Sequence, residues 1–310
     1  MPPPHGHDHG HAHRARSARA LGWTLVLLAA YTIAEVVGGL ATDSLALLAD
    51  AGHMLSDVLA LVLALGAIAL ARRPATPDRS FGLRRAEILA AFLNGLLLVL
   101  VAVWILVEAA RRLSDPPEVL GGWMLVVAVG GLAVNVAAFA ILAGSGRESL
   151  NVEAALRHVL ADVLGSVGVI VASLVILATG WELADPIVSA VIAVLILWSA
   201  WGVLRDSGHI LLEGAPPAVD TAAVERVILD VDGVVSVHDL HVWTITSGFD
   251  ALSAHVLVGR GADCHALRRL VEHALADAFD IRHTTLQVEH AAPAVLQLEP
   301  RSGVGRPQGD

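Results

Sequence analysis

Six long apolar stretches leave this chain few folds to choose from. They run roughly over residues 21–41, 45–71, 86–110, 120–143, 154–179 and 183–204. Each has about the 20 residues a helix needs to cross about 30 Å of hydrocarbon. Lipid offers a bare backbone no hydrogen bonds, so spanning segments of this kind must be helical. Composition agrees: of 310 residues, 55% are hydrophobic and 16% charged, and the mean hydropathy is +0.68. A soluble domain this long carries more charge. The sequence predicts a polytopic α-helical membrane protein with six transmembrane helices and a modest soluble part.

Arginine placement predicts the orientation. All 20 basic residues are arginine. Arg14, Arg16, Arg19, Arg72, Arg73, Arg79, Arg84, Arg85, Arg147, Arg157 and Arg205 fall on one side of the six segments. Only Arg111 and Arg112 fall on the other. Cytoplasmic loops carry the arginine excess, so both termini are expected in the cytosol of a multi-pass cell-membrane protein. Residues 206–310 hold 15 acids against 7 arginines, a balance that argues against nucleic-acid binding. Without lysine there is no Schiff-base or P-loop chemistry. Cys264 is the one cysteine, which excludes an intrachain disulfide and a four-cysteine zinc site.

Two copies of His-x-x-x-Asp interrupt the apolar pattern: His53 with Asp57 in the second segment, and His158 with Asp162 in the fifth. No other histidine lies between residues 20 and 205. On a helix, residues four apart share a face, so each pair is half of a site. Two such helices side by side present two imidazoles and two carboxylates to one point. That set suits tetrahedral Zn²⁺, with Cd²⁺, Co²⁺ and Ni²⁺ as alternatives. Mg²⁺ and Ca²⁺ prefer oxygen alone. Ionisable groups inside a membrane are costly and mark transport paths. Metal ligands must be deprotonated, so a cage that carries protons when metal-free gives them up when metal enters. Exposed alternately to the two sides, it would exchange a divalent cation for protons. An intramembrane metallo-enzyme is a poor alternative, because the chain has no His-Glu-x-x-His, the usual zinc-protease motif, and four protein ligands leave no open position for water. A receptor that binds metal without moving it is a second alternative. Asp50 stands three residues before His53, and Glu35, Asn94 and Asn135 read as polar contacts between helices.

The remainder falls into three parts. Residues 1–20, with histidines at 5, 7, 9, 11 and 13, read as a disordered arm suited to loose metal capture. The transmembrane region covers 21–205. From the joint Glu213-Gly-Ala-Pro-Pro217 onward, residues 213–291 read as a small α+β domain. Asp220 caps a helix to about Asp230, strands follow over 234–246 and 251–258, a helix over 262–279, and a strand over 284–290. This αββαβ order suggests a ferredoxin-like sandwich with its helices on one face. Residues 292–310 read as a disordered tail.

The stretches 43–57 (DSLALLADAGHMLSD), 80–87 (SFGLRRAE), 157–166 (RHVLADVLGS) and 237–243 (VHDLHVW) resemble the cation diffusion facilitator family of zinc transporters. The resemblance spans roughly residues 20–290. It implies a homodimer that exports zinc from the cytosol in exchange for protons, with zinc also a regulatory ligand. It also implies a metal site in the cytosolic domain, where His238, His255, His265, Gln287 and Glu289 fall at the family's ligand positions. Gln287 stands where the family usually has histidine, and His241 is an extra imidazole. In an ideal strand His238 and His241 point to opposite faces and should not share an ion. Some members carry a further site between spans two and three. Here only Asp78 could ligate, and that site is expected to be missing.

Overall fold

The computed structural model describes residues 9–71, 73–143 and 150–291, without the side chains of 9–21, 61, 64, 65, 68, 71, 142, 150–158 and 161. The side chains of the N-terminal histidine tract, the His158 side chain and the 292–310 tail lie outside the described residues. The chain divides into two compact units, Met1–Leu212 and Glu213–Asp310.

The first unit is helical: α1 His9–Thr42, α2 Leu45–Ala71, α3 Ala86–Ser114, α4 Gly121–Ala143, α5 Leu150–Thr179 and α6 Ala184–Leu211. Among the described residues, five helices have a stretch long and apolar enough to cross a membrane: Gly22–Thr42, Ala86–Ser114, Gly121–Ile141, Asp162–Thr179 and Ala184–Leu211. Helix α2 carries Asp50, His53, Ser56 and Asp57 on an otherwise apolar rod. Helix α1 starts at His9, well before the expected residue 21. The intervening run is rich in alanine and arginine, good helix formers, and extending a helix needs no new nucleus.

Burial in this unit is inverted relative to a water-soluble protein. Glu35, Asp50, Asn94, Asn135, Asp162 and Asp185 are buried, while Trp23, Leu100, Trp123, Leu164 and Trp198 lie outside. A hydrocarbon surround makes that arrangement favourable. Small residues allow the helices to approach closely. A Cβ on Gly95 of α3 would meet Leu204 of α6 at 2.9 Å, and one on Gly38 of α1 would meet Val127 of α4 at 2.8 Å.

The start of α2 is held by its neighbours. Asp185, at the start of α6, accepts from Ser44 Oγ at 2.6 Å and from the N–H groups of Leu45 at 2.8 Å and Ala46 at 3.1 Å. These are amides that a helix leaves unpaired at its N-terminus. Arg112 of α3 donates to the Asp43 carbonyl at 2.6 Å and its carboxylate at 2.8 Å.

The second unit contains α7 Thr221–Leu229, β1 Val234–Thr246, β2 Phe249–Val258, α8 Cys264–Phe279 and β3 His283–His290. Sheet order is β1-β2-β3, with β1 and β2 antiparallel and β2 and β3 parallel. Asp220 caps α7 by accepting from Ala222 N at 3.0 Å, and Asp263 caps α8 by accepting from His265 N and Ala266 N at 2.9 and 3.1 Å. Leu267, Val271 and Leu275 recur at helical spacing on α8. They pack with Val224 and Ile228 of α7 against Val242, Leu252, Ala254, Val256 and Val258 of the sheet. Both helices therefore cover one sheet face.

Candidate metal sites

Helix geometry puts His53 and Asp57 on one side of α2, with His53 Nε2 3.8 Å from Asp57 Oδ2. Packing adds Asp162 of α5, whose Oδ1 lies 3.7 Å from His53 Nε2. One ligand atom from each of the three lies within 4.8 Å of the others. Ligand atoms about 2.0–2.2 Å from a tetrahedral ion stand about 3.4 Å apart, so small side-chain movements would seat a zinc-sized ion here. Asp162 is buried, and His53 and Asp57 are half-buried. His158 stands one helical turn before Asp162 on α5, and its side chain lies outside the described residues.

Polar groups continue behind this trio. Asp50, one turn before His53, lies against α5, where a Cβ on Gly165 would come 3.0 Å from its Oδ1. Ser56 Oγ donates to Asn94 Oδ1 at 3.4 Å, tying α2 to α3. Asn135 Nδ2 donates to Ser166 Oγ at 3.2 Å, tying α4 to α5.

In the second unit the register builds a polar row. His238 pairs with His255, and His255 with Gln287. The neighbours Ala254 and Val256 are in the core, so this row lies on the sheet face away from the helices. The rings of His238 and His255 have centroids 5.0 Å apart. His238, His255 and Asp239 offer ligand atoms within 4.8 Å of one another. Gln287 Nε2 donates to the Glu289 carboxylate. Among the described residues, neither Glu289 nor His265 joins the close trio. His265 stands in the first turn of α8, in the helical layer, and is exposed.

The expected separation of His238 from His241 does not hold. A register irregularity lies between them, with Asp239 at φ 50°. His238 pairs with His255 and His241 with Ser253, two residues apart on β2 and hence on one face. The extra residue of a β-bulge produces this reversal. Sequence reading missed Asp239 as a candidate ligand. Its position beside His238 was visible, but the bulge was not.

Comparisons with known proteins cover nearly the whole described chain. Residues 23–212 match the family described as cation efflux transmembrane domain, and residues 216–291 match cation efflux protein, cytoplasmic domain. The "Cadmium, cobalt and zinc/H(+)-K(+) antiporter" of Bacillus velezensis is 43% identical over 274 residues, 87% of each chain. The "Metal cation efflux system protein CzcD" of Cupriavidus metallidurans is 46% identical over 275 residues, 88% of this chain and 87% of that one. "Zinc transporter ZitB" of Escherichia coli is 44% identical over 276 residues, 88% of each.

Proposed function

This chain belongs to the cation efflux family, whose members are transporters and not enzymes, and from that premise we propose that it exports Zn²⁺ across a cell membrane in exchange for protons. His53, Asp57, His158 and Asp162 hold the transported ion. The observation that carries this reading is the convergence of His53, Asp57 and Asp162 within a predominantly apolar helical unit. Such groups are expensive in lipid unless an ion or proton shares them. Cadmium and cobalt, named for the Bacillus velezensis relative, fit the same donor set, as does nickel.

Six spans complete the path, with α2 the sixth. An even number puts both termini on one side, and the arginine bias makes that side the cytosol. The second unit works there as a dimerisation and sensing domain, and two copies of the chain form the transporter. Zinc held by His238 and His255, with Glu289 on the same sheet face, favours one arrangement of the dimer, and His265, in the helical layer, joins such an ion only from the second copy of the chain. The Asp239 carboxylate supplements this set.

Zinc entry displaces protons because imidazole and carboxylate must be unprotonated to ligate. Exposure to the far side then releases zinc, and protons return to the ligands. The test is zinc uptake into inverted membrane vesicles under an imposed pH gradient. Asp57→Ala and Asp162→Ala abolish uptake if the assignment is right. Wild-type rates in both variants would falsify it. Flux into proteoliposomes also separates a transporter from a receptor that only binds.

A further inference from the structure

Behind the metal trio, two more carboxylates are buried with no positive charge paired to them among the described residues. Glu35 of α1 is 1% exposed and Asp50 of α2 is 3% exposed. Among the described residues neither forms an ion pair, and Glu35 Oε2 is a buried oxygen with no hydrogen-bond donor. Asn135 of α4, 1% exposed, likewise has an unpartnered buried Oδ1. These groups come from helices packed on one another: α1 against α2 and α4, and α4 against α5.

Glycines on two neighbouring helices make room for the acids. A Cβ at Gly131 of α4 would stand 3.0 Å from Glu35 Oε1, and one at Gly165 of α5 would stand 3.0 Å from Asp50 Oδ1. Asn135 stands one turn beyond Gly131 on the same side of α4. The charge of Glu35 is felt at Tyr31, and Glu35 itself feels Asp50 and Asp162. Those are the titratable groups that face it: Tyr31 on its own helix, Asp50 on α2 and Asp162 on α5, with Gly131 and Asn135 from α4. The Tyr31 hydroxyl donates to the Val127 carbonyl, so its proton is engaged elsewhere.

We propose that Glu35 and Asp50, with Asn135, form an all-oxygen station for the monovalent counter-cation, separate from the nitrogen-and-oxygen cage that takes the metal. Two buried carboxylates close enough to repel call for a small positive charge between them. The set lacks imidazole and thiolate, so it favours a proton or an alkali ion over zinc. Proximity to Asp162 lets occupancy of the station and of the metal cage oppose each other through charge. This inference rests on the transport reading above, because it assigns the exchanged ion its own place.

The test uses the full chain in proteoliposomes, comparing wild type with Glu35→Gln and Asp50→Asn. One arm imposes a pH gradient in N-methylglucamine buffer free of alkali ions. The other imposes a potassium gradient at equal pH. Equilibrium binding of radioactive zinc to the same preparations reports on the cage and on folding. Both variants are expected to bind zinc with modestly lowered affinity, because each removes a charge that favours the metal, release fewer protons on binding or lose potassium dependence, and lose gradient stimulation of zinc flux. Loss in the first arm identifies a proton, and loss in the second an alkali ion. Stimulation equal to wild type in both variants overturns the station and leaves the transport reading intact. Zinc binding lost as in Asp57→Asn also overturns it, since the acids would then belong to the cage. A wild-type protein that moves no zinc in either arm removes the transport reading itself. Should one variant fail to fold, the other decides.

Discussion

His53 Nε2 on α2 stands 3.7 Å from Asp162 Oδ1 on α5, as near as it stands to Asp57 on its own helix at 3.8 Å. A cross-helix contact thus matches a within-helix one, and a shared ion would couple the two helices. Zinc affinity of Asp162→Asn should fall by more than the roughly 10–100-fold that losing an outer contact costs a metal site. His53→Ala combined with Asp162→Asn should cost much less than the sum of the single changes, because the first loss already breaks the cage. Equilibrium zinc binding by the purified variants measures both. Strictly additive losses would mean that the two side chains serve different ions.

Asp185 is a structural anchor for that geometry. Its carboxylate satisfies the Ser44 hydroxyl and the Leu45 and Ala46 amides, all buried. Asp185→Ala leaves those donors without their acceptor, at about 1–3 kcal/mol each. The expected result is a large drop in thermal stability in detergent, with Asp185→Asn intermediate because its one carbonyl still accepts. Ser44→Ala should cost about 1–3 kcal/mol, since it also leaves the buried Leu47 amide, which donates to Ser44 Oγ at 3.2 Å, without its acceptor. Equal melting of all three variants and wild type would show that α2 is held by packing alone.

What could be read from the chain was what depends on neighbours in sequence. Apolar runs announced the membrane helices, and the four-residue spacing put His53 above Asp57 without any tertiary information. Asp220 was readable as a helix cap for the same reason, because a cap bonds amides two or three residues on, whereas the expected helix start at 262 hid the same role of Asp263. The Asp185 contact with Ser44 joins distant segments, and no local pattern links them. The bulge at Asp239 was equally hidden, since register is set by pairing with β2 rather than by β1 itself. That one irregularity moved His238 and His241 to a common face. Glu35 and Asn135 were legible as polar groups within helices, but their unpartnered oxygens emerge only from packing.

The bulge can be tested through its backbone. Asp239 has φ 50°, a left-handed conformation that glycine adopts freely and a β-branched residue resists. Asp239→Gly should leave the sheet intact while weakening zinc binding at His238 and His255, because it removes only the carboxylate. Asp239→Val should loosen the strand as well. Hydrogen exchange over residues 234–246, measured with and without zinc, separates the two effects. Unchanged zinc protection in the glycine variant would remove Asp239 from the site.

The α8 cap gives a pH signature outside the membrane. The Asp263 carboxyl is held below its ordinary range by the Ala266 amide first and the His265 amide next. A carboxyl lowered by folding adds stability that is present above the unfolded value of about 3.9 and is lost as pH falls through the folded value. Asp263→Ala should therefore speed amide exchange at His265 and Ala266 near neutral pH, and the difference from wild type should shrink as acid protonates the cap. Hydrogen exchange of peptides spanning residues 263–270, corrected for intrinsic rates at each pH, checks this. A gap that stays constant down to strong acid would mean the cap works through shape and a neutral hydrogen bond, with no contribution from its charge.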